Sequence, residues 1–147
     1  MQSAQTVLEI ATVDQINTLR AERGLDRLSF SQALFASALE HDRQMVAGGY
    51  FGHRAPDGGD FASRIEHSYP PGNAVYYAIG ENIFWSQGPV SSAQLVSRWM
   101  SSAEHRRNML NPDWRQVAVA VLSVPSAPGV FRNRPVTVVM VDFGVRR

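Results

Sequence analysis

Cysteine is absent from the 147 residues. That excludes disulfides, thiolate metal sites and a cysteine nucleophile. Lysine is absent too, so all 14 basic residues are arginine, set against 13 acidic ones. A net charge of +1 leaves no excess for a polyanion. The doublets Arg106-Arg107 and Arg146-Arg147 are far from the clustered stripe of a nucleic-acid binder. No apolar run approaches the ~18 residues of a membrane span. The opening "MQSAQTVLEI" has neither a basic n-region nor an apolar h-region, so it does not read as a signal peptide. On that reading the protein stays inside the cell or has already lost such a segment. His-Glu-x-x-His, Gly-x-Ser-x-Gly, Gly-x-Gly-x-x-Gly and the phosphate loop are all missing.

What is present reads as one globular domain over residues 1–147. Hydrophobic residues at 44% and charged residues at 18% are ordinary for a folded chain. A chain of this length buries about 70% of its unfolded surface without staples. Helical spacing of apolar residues runs from about Thr6 to Arg23, with Gly24 as a stop. "SFSQALFASALEHDRQMVAGG" reads as a second helix, with Ser29 and Gln32 at capping-box spacing. Leu34, Ala38, His41 and Met45 form its apolar stripe. Asp60 can cap a short third helix carrying Phe61 and Ile65. A strand follows around Ile79 to Trp85, then a helix from Ser91 to Ser101 with Ala93, Val96, Trp99 and Met100 facing inward. "QVAVAVLSV" and "PVTVVMVDFG" are two strands of a hairpin. The order predicts α+β, an antiparallel sheet covered by helices.

One charge is out of place. Glu81 sits in "GENIF", a poor strand former inside an apolar strand, so it needs a partner. Its plain partner is an arginine or backbone N–H groups. Of the four histidines, His41 reads as a core residue bonded to backbone and His67 as a solvated loop residue. His53, in "YFGH", and His105, in "SSAEHRRN", lie 52 residues apart, so only the fold can join them. Ser102 and His105 are three apart and would share a helix face. A Ser-His dyad is one reading of that pair; a serine capping the end of the preceding helix is the other.

The series "NTLRAERGLDRLSFSQALFASALEHDRQM", "YFGH", "GENIF", "WMSSAEHRRNMLNP", "VAVAV" and "VVMVDFG" resembles the CAP superfamily, which includes cysteine-rich secretory proteins, antigen 5 and plant pathogenesis-related proteins. The likeness is to its cysteine-free bacterial branch and runs from about Asn17 to Gly144. It implies a three-layer α-β-α sandwich with a central antiparallel sheet and a large cleft. In that cleft two His and two acidic residues meet, and some members bind zinc through the two His. By position these are His53, Glu81 and His105; Ser102 stands where the second acid often falls, and Glu104 is expected to point elsewhere. Zn²⁺ would use His53 and His105, with Glu81 either as third ligand or as a hydrogen-bond partner of one imidazole. The resemblance implies an extracellular or cell-envelope protein that binds a small-molecule, lipid, sterol or protein ligand in its cleft. A His/Glu-dependent or metal-assisted hydrolase and a cell-wall interaction module are the alternatives. Tyr50, Phe51, Tyr76, Tyr77 and Trp85 are the aromatics expected near the cleft.

Overall fold

The computed structural model describes residues 2–147; Met1 lies outside them. Five helices and four strands follow in the order α1 (Ala4–Ala21), β1 (Ser29–Phe30), α2 (Gln32–Gly48), α3 (Phe61–Ser68), β2 (Tyr77–Gln87), α4 (Ser92–Met100), α5 (Ala103–Met109), β3 (Gln116–Ala127) and β4 (Arg134–Arg146). The strands lie in the order β1-β3-β4-β2. β4 runs down the centre, antiparallel to both β2 and β3.

Alternation along β3 and β4 builds the sandwich. Val117, Val119, Val121, Val139, Val141, Phe143 and Val145 pack against Ile16 of α1, Leu95, Val96 and Trp99 of α4 and Met109 of α5. The intervening residues, Ala118, Ala120, Val136, Val138 and Met140, pack under α2 and α3. Both faces are covered, which is why these strands are nearly all apolar. The class and the sandwich are those expected from the sequence.

Local differences have local causes. Ser31, not Ser29, caps α2, accepting from the Leu34 N–H at 3.2 Å. The backbone of Ser29 and Ser31 is taken by strand pairing instead: Ser29 N–H reaches Arg115 O and Ser31 N–H reaches Val117 O. This two-residue β1 runs parallel to β3 beside an otherwise antiparallel sheet. "AEHRRNM", which follows α4 closely in the chain, forms the separate helix α5. α4 ends because Ser101 Oγ turns back to the Arg98 carbonyl at 2.7 Å and Ser102 is extended. Ser102 therefore precedes α5 and makes no side-chain cap bond. Leu95 takes the inward place expected of Ala93, which is exposed. His67 sits on the last turn of α3, exposed. Arg20 is fully buried and ties α1 to three carbonyls, those of Asp26, Met109 and Asn111.

Trp99 joins α4 to the sheet in two ways. Its ring is buried, and its Nε1–H donates to the Ile83 carbonyl of β2 at 3.0 Å. Trp99→Ala is expected to cost about 3–5 kcal/mol, since the substitution leaves both a cavity and an unmet carbonyl. Chemical denaturation measures it, and a loss below about 1 kcal/mol would contradict this packing.

Candidate functional site

Glu81 enters at the middle of β2, with its side chain on the α2/α3 face and only 1% exposed. Gly80 before it is held without a side chain because a Cβ there would meet the Trp114 ring at 2.7 Å. Three groups converge on the Glu81 carboxylate. His53 Nδ1 is 2.7 Å from Oε2. Arg64, on α3, approaches both oxygens, Nη1 to Oε1 at 2.9 Å and Nη2 to Oε2 at 3.2 Å. Asp142 lies directly opposite in the β2–β4 register, 3.9 Å from the same Arg64.

The electrostatics follow from this crowding. Burial alone pushes the Glu81 carboxyl up, but the His53 hydrogen bond, the Arg64 charge and hydrogen bond, and the Asp142 hydrogen bond outweigh it and hold it below its ordinary value. Asp142 goes the other way: burial, the Glu81 charge and the hydrogen bond to Glu81 raise it well above its ordinary value. No N–H or O–H of another residue meets either Asp142 oxygen. Asp42 on α2 is also fully buried with both oxygens unpartnered, and burial followed by the charges of Glu81 and Glu9 raises it. Among the described residues Arg64 is the one cation that acts on all three acids.

Above this floor lies a cleft of about 480 Å³ lined by His53, Phe61, Glu81, Glu104, Arg107 and Asn108, with Arg54 and Ile79 beside them. His53 is 41% exposed at its side chain, and its Nε2 is the ring nitrogen left free for a ligand. Below, Asn108 and Asn82 hold the strand in place. Asn108 donates to the Glu81 carbonyl and to Asn82 Oδ1, both at 3.0 Å, while Asn82 donates to the His105 carbonyl at 3.1 Å. His105 stands close enough for the His53 charge to act on it; burial first, then that charge, lowers its pKa against the raising effect of Glu104.

The expected residues are thus placed unequally. His53 and Glu81 touch, whereas His105 is not among the residues lining this cleft and is linked to it through the Asn82 bond to its backbone carbonyl. Ser102 does not line the cleft and forms no bond to His105, whereas Glu104, expected to point elsewhere, does line it. Among the aromatics, Phe61 is a wall of the cleft. Tyr76 instead donates to Asp113, Tyr77 to the Tyr69 carbonyl, and Trp85 packs on Phe131 and Phe51. His41 is a core histidine as expected, bonded to the Gly52 carbonyl at 2.7 Å. Sequence reasoning missed Arg64, Asp42, Asp142 and Arg107; the lone acid in "VVMVDFG" was the available signal.

A resident zinc does not fit this donor set. Both Glu81 oxygens and His53 Nδ1 are already engaged. Among the described residues no group of three His, Cys, Asp or Glu side chains is arranged to hold a metal ion.

The unpartnered acids carry a pH signature. A carboxyl whose folded pKa is raised contributes stability below the ordinary carboxylate value of about 3.9 and loses it as pH climbs toward the folded value. Asp42 faces Glu81, Glu9 and Arg64. Asp42→Asn should match wild type near pH 4 and exceed it by about 1 kcal/mol or more near pH 8. Urea denaturation at the two pH values reads this, and an equal difference at both would show Asp42 to be ionised throughout.

Comparison with known proteins accords with this architecture. The model of the cysteine-rich secretory protein (CAP) family matches residues 13–141. The uncharacterized membrane protein YlbC of Bacillus subtilis (strain 168) is 30% identical over 117 residues, 80% of this chain and 32% of its own length. A Bacillus anthracis extracellular protein containing an SCP domain superposes with a TM-score of 0.73 at 22% identity, covering 97% of this chain and 41% of that one. An outer surface protein of Borrelia burgdorferi superposes with a TM-score of 0.66 at 18% identity, over 92% and 90% of the two chains. The chain spans less than half the length of the first two of these proteins. With its family model matched over most of its length, this cysteine-free chain belongs to the cysteine-rich secretory protein family.

Proposed function

We propose that the chain is a non-enzymatic binding domain whose cleft takes a small amphipathic ligand with an anionic head, of the lipid or sterol-conjugate class. The observation that carries this reading is the immobilised Glu81. Its carboxylate is buried beneath Arg64 and His53, so the cleft holds no free acid at its floor. What faces a ligand is Arg54, Arg107 and the His53 ring nitrogen, with the acids Asp60 and Glu104 on the same lining, beside the apolar Phe61 and Ile79. An apolar wall with a few polar anchors is what a small-molecule site requires. Two of the similar proteins are described as extracellular and as an outer surface protein, which supports a place outside the cell or in its envelope. No helix among the described residues is long and apolar enough to cross a membrane.

A hydrolase is the second reading, favoured by the short His53–Glu81 contact. A carboxylate on Nδ1 orients an imidazole whose Nε2 can serve as a general base. The arrangement still lacks a serine nucleophile, since Ser102 is not in the cleft.

Laurate titrated into the ¹⁵N-labelled protein should shift the amides of His53, Gly80 and Asn108. Arg107→Glu should weaken binding about tenfold by replacing an attractive charge with a repulsive one. Laurate shifts confined to residues outside the cleft would overturn the binding assignment. Casein turnover that disappears in His53→Ala would favour the hydrolase instead.

A further inference from the structure

A sheet has two edges, and this protein covers part of each. On β3, the outer N–H groups of Val121 and Ser123 are met by Glu9 Oε2 at 3.0 Å and Gln5 Oε1 at 2.8 Å. On β2 the pairing of Tyr76 with Arg147, and of Gly88 N–H with Pro135 O, marks the even-numbered residues as those bonded to β4. Alternation then turns the backbone of Tyr77, Ile79, Glu81, Ile83, Trp85 and Gln87 outward. The Glu81 carbonyl is met by Asn108 and the Ile83 carbonyl by Trp99. Beyond Ile83 the cover stops. Among the described residues no group meets the outward N–H or C=O of Trp85 or Gln87.

This open end is not blank surface. Trp85 is 37% exposed, and its ring is fixed edge-on to Phe131 at 5.1 Å and tilted against Phe51 at 6.5 Å. Val130 beside it is 53% exposed. Arg132 and Arg134 complete a shallow pocket of about 220 Å³ with Trp85, Gln87, Val130 and Phe131. Neither guanidinium has an ion-pair partner among the described residues. Arg134 is steadied by a 3.2 Å bond to Gln87 Oε1.

The β3–β4 loop that carries the patch is held rigid. Val130 N–H bonds the Gly49 carbonyl at 3.0 Å, and a Cβ on Gly129 would fall 2.1 Å from that oxygen. Arg132 and Asn133 both sit in the left-handed region, at φ 56° and 57°. That conformation is unfavourable for arginine, and it persists here in a loop pinned on both sides. An aromatic and two arginines on a rigid support are the residue types that dominate protein interfaces.

We propose that the β2 edge from Trp85 to Gln87, flanked by Arg132 and Arg134, docks an extended acidic peptide segment of a partner protein as an added strand. Backbone groups of the peptide would pair with those of Trp85 and Gln87, the way strands are commonly added to open edges. Acidic side chains at alternate positions would share the face of Trp85 and Gln87 and meet the two guanidiniums. A pocket this small accommodates single side chains rather than a whole small molecule. The surface shares no lining residue with the cleft, so it stands or falls separately from the cleft ligand.

The probe is a blocked hexapeptide alternating valine and aspartate, with a valine–lysine hexapeptide as control. The acidic peptide should shift the Trp85 and Gln87 amides of the ¹⁵N-labelled protein and slow their hydrogen exchange. The lysine peptide should do neither. The double variant Arg132→Gln, Arg134→Gln should weaken binding about tenfold with an unchanged thermal midpoint. Should that variant fold poorly, raising salt from about 0.05 to about 0.5 M on the wild type tests the same charges. Three results would overturn the proposal: amides at the edge that the acidic peptide leaves unmoved, equal binding of the lysine peptide, or concentration-dependent self-association that occupies the edge with a second copy.

Discussion

Arg64 is the single cation set among three buried acids, and the centre of the molecule is arranged around that shortage. Its guanidinium grips both oxygens of Glu81 and still lies within 3.9 Å of Asp142. One positive charge cannot neutralise three carboxylates out of water. Burial and like charge favour the neutral form of two of the three. Asp142 and Asp42 are pushed well above the ordinary carboxylate range, and Glu81 stays ionised because His53 and Arg64 both favour its charge.

The cleft inherits its shape from this layer. Because Glu81 is held from below, the His53 ring is oriented by its Nδ1 bond and presents Nε2 outward. Asn82 and Asn108 extend the same network sideways, linking β2 to α5 and so fixing where Glu104 and Arg107 stand. Asn108 donates to a backbone carbonyl, that of Glu81, that an edge strand would otherwise leave unmet. Trp99 does the same one pair of residues further on. The polar groups of the site thus serve the sheet edge and the cleft together, and none of them reaches Trp85.

The sequence by itself determined the layers. Helices α1, α2 and α4 and the β3–β4 hairpin were legible because their apolar residues recur at 3.6 or fill both faces of a strand, which is a local property of the chain. Glu81 was legible as an anomaly, since a charge in an apolar strand demands a partner wherever the chain goes. Motif order supplied His53 and His105. What misled was also local: Ser29 has the right spacing for a cap, yet its backbone is used by β3, and that competitor lies 86 residues away at Arg115. Only the tertiary structure decided that Arg64, rather than any of the other 13 arginines, answers Glu81. It also decided that Asp142 faces Glu81, because that pairing depends on the β2–β4 register, which no stretch of sequence near Glu81 encodes. Ion pairs and shared protons depend on distance in space to within about an ångström, and a sequence specifies distance only along the chain.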